Sequence, residues 1–330
     1  MLATWYEKQG PAKRVLKVGE METPTAGPGE VRIRVAYSGI NPSDTKRRQG
    51  FRGQKINFKR IIPHSDGAGI IDQGGRGISK SRIGEKVWIW NGQWKRPFGT
   101  CAEYISLPSR QAVKIPDKTD LLHGACIAIT VITAHRSLFS DGPIKVKTFL
   151  VTGGAGEVGN YAIQLAKWGG AEQVFATVSS PSKARKAKSA GADIVINYKK
   201  NDVAQRINKA TKGNGVDHIV EVAFGSNQST ISKIIKDHAT IACYASDKKP
   251  EPIIDFYGFM MKNTNLRWVF MYEIPDKAFR NAIRDIETWL DSDFVYHSVD
   301  KIFPLSQTAD AHIYLQSGKA NGNVIISVND

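Results

Sequence analysis

The chain has 330 residues, 41% of them hydrophobic, a formal charge of +15 and only three cysteines. That length is comfortable for two domains, and no long uncharged apolar run calls for a membrane span. The N-terminus has no basic end followed by an apolar stretch, so no secretory leader is expected. Cys101, Cys126 and Cys243 are scattered and odd in number, which points away from a disulfide framework and toward a reducing, cytoplasmic setting. Lysines and arginines are spread along the chain; the densest cluster is Lys46, Arg47, Arg48, Arg52, Lys55, Lys59 and Arg60.

Residues before about 125 read as mostly β. After the turn signal Gly27-Pro28-Gly29, Val31 to Tyr37 alternates as a half-buried strand does. Val87 to Trp90 and Ala102 to Ile105 are further short strands between glycine-rich loops. The pattern changes near Leu121. Leu122 to Phe139 reads as helix, interrupted near Thr130.

From Lys147 strands and helices alternate. The spacing predicts strands over Thr148–Thr152 and Gln173–Val178 with a helix over Glu157–Trp168 between them. Ser180-Pro181 offers a cap and a proline at the first helical position, and Gly191 closes that helix. Asp193–Asn197, His218–Ala223 and Thr240–Tyr244 are three more strands, and Leu266–Met271 a sixth. Such alternation demands a parallel sheet with helices on both faces, an α/β fold.

At the first strand-to-helix junction stands Gly153-Gly154-Ala155-Gly156-Glu157-Val158-Gly159. Gly154, Gly156 and Gly159 have the G-x-G-x-x-G spacing of a dinucleotide site: a sharp turn, a close approach to the pyrophosphate, and close helix packing. The helix N-terminus then faces the phosphates. An acid at the end of the second strand would grip the ribose of NAD. From Val174 to Ala192 there is none, whereas Ser179, Ser180, Lys183, Arg185, Lys186 and Lys188 lie there. This favours NADPH over NADH. Lys183, in the first turn, is the best placed to reach a 2′-phosphate; Lys186 and Lys188 read as solvated helix surface.

The sequence resembles the zinc-free quinone oxidoreductase (zeta-crystallin-like) branch of the medium-chain dehydrogenase/reductase superfamily. The marks are Ser38-Gly39-Ile40-Asn41-Pro42-Ser43-Asp44, Ile62 to Gly69, Gly84 to Val87, Thr133-Ala134, the glycine turn, Ala190 to Tyr198 and Gly318 to Gly322. The resemblance implies a GroES-like β-rich catalytic domain over 1–125, completed by 272–330, and a Rossmann NADPH-binding domain over 126–271. It implies NADPH in the cleft between them and a homodimer formed through the Leu266–Met271 strand.

By the resemblance, Lys183 and Tyr198 match positions at the adenosine phosphate end, and Asn41 and Thr130 positions near the nicotinamide. The cofactor residues are expected to be these with Gly154, Ala155, Gly156, Glu157, Val158, Ser179, Ser180, Phe224, Tyr244 and Phe270. Asn41 and Asp44 are the catalytic candidates. Asn41 would hydrogen-bond a substrate carbonyl or the ribose, and Asp44 would hold a water or orient Asn41. Against this, Asn41-Pro42 is a turn signal, and Asp44 can cap a helix beginning at Thr45.

No metal is expected. Zinc-dependent relatives place Cys where Asn41 stands and a His-Glu pair where Ser65-Asp66 stands, and their four-cysteine lobe leaves only Cys101 here. His64 is displaced by one position; it reads either as a hydrogen-bonding group in the cleft or as a satisfied buried histidine. His123 and Cys126 read as helix packing. The implied activity is metal-free hydride transfer from NADPH to quinones or activated enones.

Alternatives are an enoyl-thioester reductase and an NADPH-binding, RNA-associated or crystallin-like protein. The first lacks a tyrosine after Gln49-Gly50, where Phe51 stands. For the second, no aromatic residues interleave with a basic stripe, so nucleic acid is not an expected partner. Phe51, Trp90, Trp94, Tyr244 and Phe270 are candidate pocket walls.

Overall fold

The computed structural model describes residues 1–53, 55–293 and 295–328. The chain divides into two compact units, residues 1–129 with 297–330, and residues 130–296. No helix among the described residues is long and apolar enough to cross a membrane.

Unit 1 begins with β1 (Leu2–Trp5), α1 (Ala12–Val15), β2 (Lys17–Glu20), β3 (Glu30–Ile40) and α2 (Pro42–Gln49). It continues with β4 (Asp66–Gly74), β5 (Lys86–Ile89), β6 (Tyr104–Pro108), β7 (Ala112–Lys114) and α3 (Leu121–Gly124). Val31, Ile33 and Val35 on one face of β3 are fully buried, as the alternation required. The strand runs on to Ile40 and pairs antiparallel with both β4 and β6. The expected long helix is two. It breaks at residues 125–127, ahead of Thr130, and resumes as α4 (Ala128–Phe139).

Unit 2 is the alternating part: β8 (Thr148–Val151), α5 (Glu157–Trp168), β9 (Gln173–Val178), α6 (Pro181–Ser189), β10 (Ile194–Asn197) and α7 (Val203–Ala210). Then follow β11 (Val216–Glu221), α8 (Phe224–Ile234), β12 (Ile235–Cys243), α9 (Phe256–Met260), β13 (Asn265–Trp268) and α10 (Asp276–Leu290). The sheet order is β10-β9-β8-β11-β12-β13, parallel throughout. All four residues of β8 are buried, as a central parallel strand requires. The sixth strand is shorter than Leu266–Met271, because Met271–Glu273 turns into a 3-10 helix.

The second unit also extends past residue 271, where the catalytic domain was expected to resume. α10 presents Phe279, Ala282, Ile286, Trp289 and Leu290 inward, with Trp289 edge-on to Tyr161 of α5. His135 Nε2 lies 2.9 Å from Asp285 Oδ2. Gln164 accepts the Tyr296 amide at 2.7 Å and donates to its carbonyl at 2.9 Å. These contacts bind 272–296 to unit 2. The chain then completes unit 1 with β14 (Val299–Pro304), α11 (Thr308–Gln316) and β15 (Asn323–Ser327), and β15 pairs antiparallel with β3.

Candidate functional site

The order of the parallel sheet reverses beside β8, so the carboxyl ends of β8 and β11 border the switch point where α/β sheets bind ligands. The glycine turn leaves β8 there. Gly153 takes the left-handed conformation, φ +65°, so the sharp turn belongs to it and not to Gly154. A Cβ on Gly154 would lie 2.7 Å from that of Ala176 on β9. One on Gly159 would lie 2.4 Å from the Gly153 carbonyl oxygen. The turn is pinned on both sides: Gly153 N donates to Thr177 Oγ1 at 3.1 Å, Gly154 N to Thr177 O at 2.9 Å, and Val222 N to Thr152 Oγ1 at 3.0 Å. Gly156, exposed, is the N-cap of α5, and Glu157 and Val158 open its first turn. Ala155 is buried beneath them.

The other cofactor candidates in this unit follow the same sheet edge. Ser179 and Ser180 follow β9, Tyr198 follows β10, Tyr244 follows β12 and Phe270 comes two residues after β13. Ser180 Oγ caps α6 by accepting from Lys183 N at 3.3 Å. Lys183 and Ser180 are half-buried and Tyr198 is exposed. Burial, Glu221 and Glu157 together push the Tyr244 hydroxyl far above its ordinary range. Thr130 is buried near the start of α4.

Two expectations fail here. Phe224 is 1% exposed, set in the apolar core and edge-on to Trp268, so its ring offers no face to a ligand. Lys186 is buried, not a solvated surface residue.

In unit 1, α2 begins at Pro42 rather than Thr45, with Asn41 as N-cap. Asp44 Oδ2 accepts the Asn41 amide N–H at 2.8 Å. Burial raises the Asp44 carboxyl to about 6, although hydrogen bonds from the Asn41 and Ser65 backbones and the Arg47 charge oppose the shift. Asp44 therefore fixes the backbone of Asn41 as a capping residue. The side-chain amide is held by Asp66, whose Oδ2 accepts from Asn41 Nδ2 and from Ile129 N, both at 3.0 Å.

His64 is fully buried with both ring nitrogens engaged, Nδ1 with Ser38 Oγ and Nε2 with His312 Nε2, each at 2.8 Å. Arg48 Nε can only donate, and it does so to His312 Nδ1 at 3.4 Å. His312 therefore carries its proton on Nε2 and gives it to His64, which in turn donates through Nδ1 to Ser38. Ser38 donates to Thr100 Oγ1 at 2.7 Å, and Thr100 to the Asp66 carbonyl at 2.5 Å. Burial drives His64 down to about 3 and His312 well below its ordinary value. His64 is the satisfied buried histidine. His123 bonds Asp120 at 3.0 Å and stacks on His297. Among the described residues no three His, Cys, Asp or Glu side chains gather as a metal site.

Residues 27–117 match the alcohol dehydrogenase GroES-like domain family, and 158–288 the zinc-binding dehydrogenase family. The chain is 26% identical over 325 residues to a rat (Rattus norvegicus) quinone oxidoreductase, covering 97% of this chain and 96% of the relative. It is 28% identical over 305 residues to an NADPH-dependent alkenal/one oxidoreductase, chloroplastic, of Arabidopsis thaliana, covering 90% and 72%. The structure of Escherichia coli quinone oxidoreductase complexed with NADPH superposes with a TM-score of 0.86 at 21% identity, covering 99% of this chain and all of that one, a likeness of fold.

The chain carries the two domains of the medium-chain dehydrogenase/reductase superfamily and over nearly its whole length is similar to quinone oxidoreductases.

Two buried acids beside the candidate residues were not found from sequence. Asp66, read only as a replaced zinc position, orients Asn41. Glu221 ends β11 at the switch point, fully buried, accepting from Ala223 N and from Asn227 Nδ2. Burial raises its carboxyl to about 6. A lone acid closing the apolar run Ile219-Val220 was the available signal for it.

Proposed function

We propose that this oxidoreductase uses NADPH to reduce quinones or related activated enones without a metal. The observation that carries the cofactor reading is the pinned glycine turn at the switch point, beside a β9 end that has hydroxyls and Lys183 but no acid. The residues fit such a group. Gly154 and Gly159 sit where a Cβ would strike neighbouring atoms. The first-turn amides of α5, which a helix leaves without intrahelical partners, suit a pyrophosphate. Ser179, Ser180 and Lys183 would take the 2′-phosphate, Tyr198 the adenosine end, and Tyr244 and Phe270 the carboxyl edge beyond β11. The bound cofactor would supply a hydride.

Asn41 and Thr130 are proposed for the nicotinamide end, with Asn41 also presenting its amide to the acceptor carbonyl. Asp66 holds that amide in one orientation. Asn41 carries no titrating proton, which suits quinones, whose reduction needs little acid help. The names of the rat and Arabidopsis relatives point the same way.

A second reading, reduction of an enoyl thioester, is favoured by the cationic run after Asn41. Following NADPH oxidation with naphthoquinone and with crotonyl-CoA separates the two. Turnover of the quinone supports the first; turnover of crotonyl-CoA alone overturns it. We also propose a cytoplasmic homodimer paired through β13. Asn265–Trp268 is the edge strand of its sheet, with Trp268 and Phe270 more than half exposed beside it, and the three buried cysteines form no disulfide.

A further inference from the structure

The side chains around Asn41 form a closed circuit of hydrogen bonds. Asn41 caps α2, and Arg48 lies in the last turn of the same helix. From Arg48 the bonds run through His312, His64, Ser38 and Thr100 to the Asp66 carbonyl. The Asp66 carboxylate returns to Asn41 Nδ2 at 3.0 Å. Arg48, His312, His64, Ser38 and Thr100 are all fully buried, so bulk water cannot stand in for a missing link.

The circuit joins the two backbones that meet at the Asn41 amide. Ser38 stands on β3 three residues before Asn41, and His64 stands two residues before Asp66. The bond between His64 and Ser38 therefore ties together the segments that carry the two partners. The turn before Asp66 is pinned from another side: His64 O accepts from Thr100 N at 3.0 Å and Ser65 O from Gly92 N at 2.9 Å. Arg48 clamps the far end of α2, donating to the Gly10 carbonyl and, at 2.9 Å, to Gln316 Oε1. Its hydrogen-bond acceptors are a carbonyl, an imidazole and an amide oxygen, all neutral, so burying this guanidinium costs stability.

His64 carries a second cost. Its φ is +75°, in the left-handed region that a residue with a Cβ enters against steric resistance. Glycine would adopt that backbone without strain. What the side chain adds is a ring bonded at both nitrogens, to Ser38 and to His312. A strained histidine and a buried arginine thus serve one circuit, and that circuit closes on one amide.

We propose that His64 and His312 are positioning residues for Asn41. The pair closes the circuit between α2 and the turn that carries Asp66, and so fixes the direction in which the Asn41 amide points. The inference rests on the proposed place of Asn41 at the acceptor carbonyl. The pair passes no proton to the substrate: the donors run from Arg48 toward Asp66 and end on a carbonyl, which has no proton to give.

The test uses the full chain with NADPH and naphthoquinone. His64→Gly removes the ring and relaxes the backbone, and thermal melts check that it folds. Its kcat is expected to fall about tenfold, with the quinone KM and NADPH affinity within about twofold of wild type. Asn41→Ala should lose at least as much, and adding His64→Gly to it should cost nothing further, because His64 acts through Asn41. Additive losses, or a wild-type kcat in His64→Gly beside an impaired Asn41→Ala, overturn the proposal. His312→Leu should match His64→Gly. His312→Gln, whose amide can accept from Arg48 and donate to His64, should keep most of the activity; equal loss in both His312 variants also overturns the proposal. The NMR resonances of the Asn41 side-chain amide give a readout without turnover. In His64→Gly they should shift, and their protons should exchange faster with solvent. If Asn41→Ala is fully active but those resonances still move, the carbonyl reading fails and the positioning stands. If they stay as in wild type, the positioning fails.

Discussion

The two units solve the problem of positioning polar groups in opposite ways. In unit 2 the candidate site is built from backbone: glycines that leave room, helix amides, and strand ends that fall along one edge of a parallel sheet. In unit 1 it is built from side chains that bond across long stretches of sequence, Asn41 to Asp66, His64 to His312, Arg48 to Gln316. The first arrangement tolerates almost any neighbour and no added atom. The second tolerates added atoms at its rim and no missing partner. Each suits its proposed partner: a phosphate-rich cofactor needs many weak donors at close range, whereas a reacting carbonyl needs one donor held still.

That contrast breaks most sharply at Gly159. Valine there would put Cβ against the Gly153 carbonyl, and NADPH affinity, read by calorimetry, is expected to fall about a hundredfold or more. Unit 1 should keep its antiparallel signature in circular dichroism. In unit 1 the largest effect should come from Asp66→Ala, which strands the Asn41 amide and the Ile129 N–H. Unfolding by urea is expected to show a loss of about 2–4 kcal/mol, with Asp66→Asn losing less because it keeps an acceptor.

The pH dependence separates the buried groups. Asp44 has its carboxyl raised to about 6, so the native state holds that proton more tightly than the unfolded chain. Its contribution is fully present below about pH 4 and is lost as pH rises through 6. Asp44→Asn cannot ionise and still accepts from Asn41. Its unfolding free energy relative to wild type should rise by about 2–3 kcal/mol between about pH 4 and pH 7. His64, lowered to about 3, acts oppositely: its contribution is present above about pH 6.5 and is lost as pH falls. The smallest expected effect is at Lys183, where alanine should weaken NADPH about tenfold and NADH less than threefold, leaving the turn intact.

What was legible follows the same division. The helix Glu157–Trp168 and the strand Gln173–Val178 fall where periodicity placed them, and Ser180-Pro181 caps its helix as the local chemistry required. These are local signals. Phe224 failed because burial is decided by what packs over a residue, here Trp268, forty-four positions away in the chain. Asp66 and the His64–His312 pair went unfound for the same reason: no periodicity encodes a hydrogen bond between residues 64 and 312. The boundary at 296 was missed likewise, because the contacts that hold 272–296 to unit 2, Trp289 on Tyr161, Asp285 with His135 and Tyr296 with Gln164, join residues more than a hundred positions apart.

The central claim is that the acid-free end of β9 selects the phosphorylated dinucleotide, and paired calorimetric titrations of the wild-type protein with NADPH and NADH test it most directly. NADPH is expected to bind at least about tenfold more tightly, with the difference shrinking as salt rises. Equal affinity, or tighter NADH, would contradict the account.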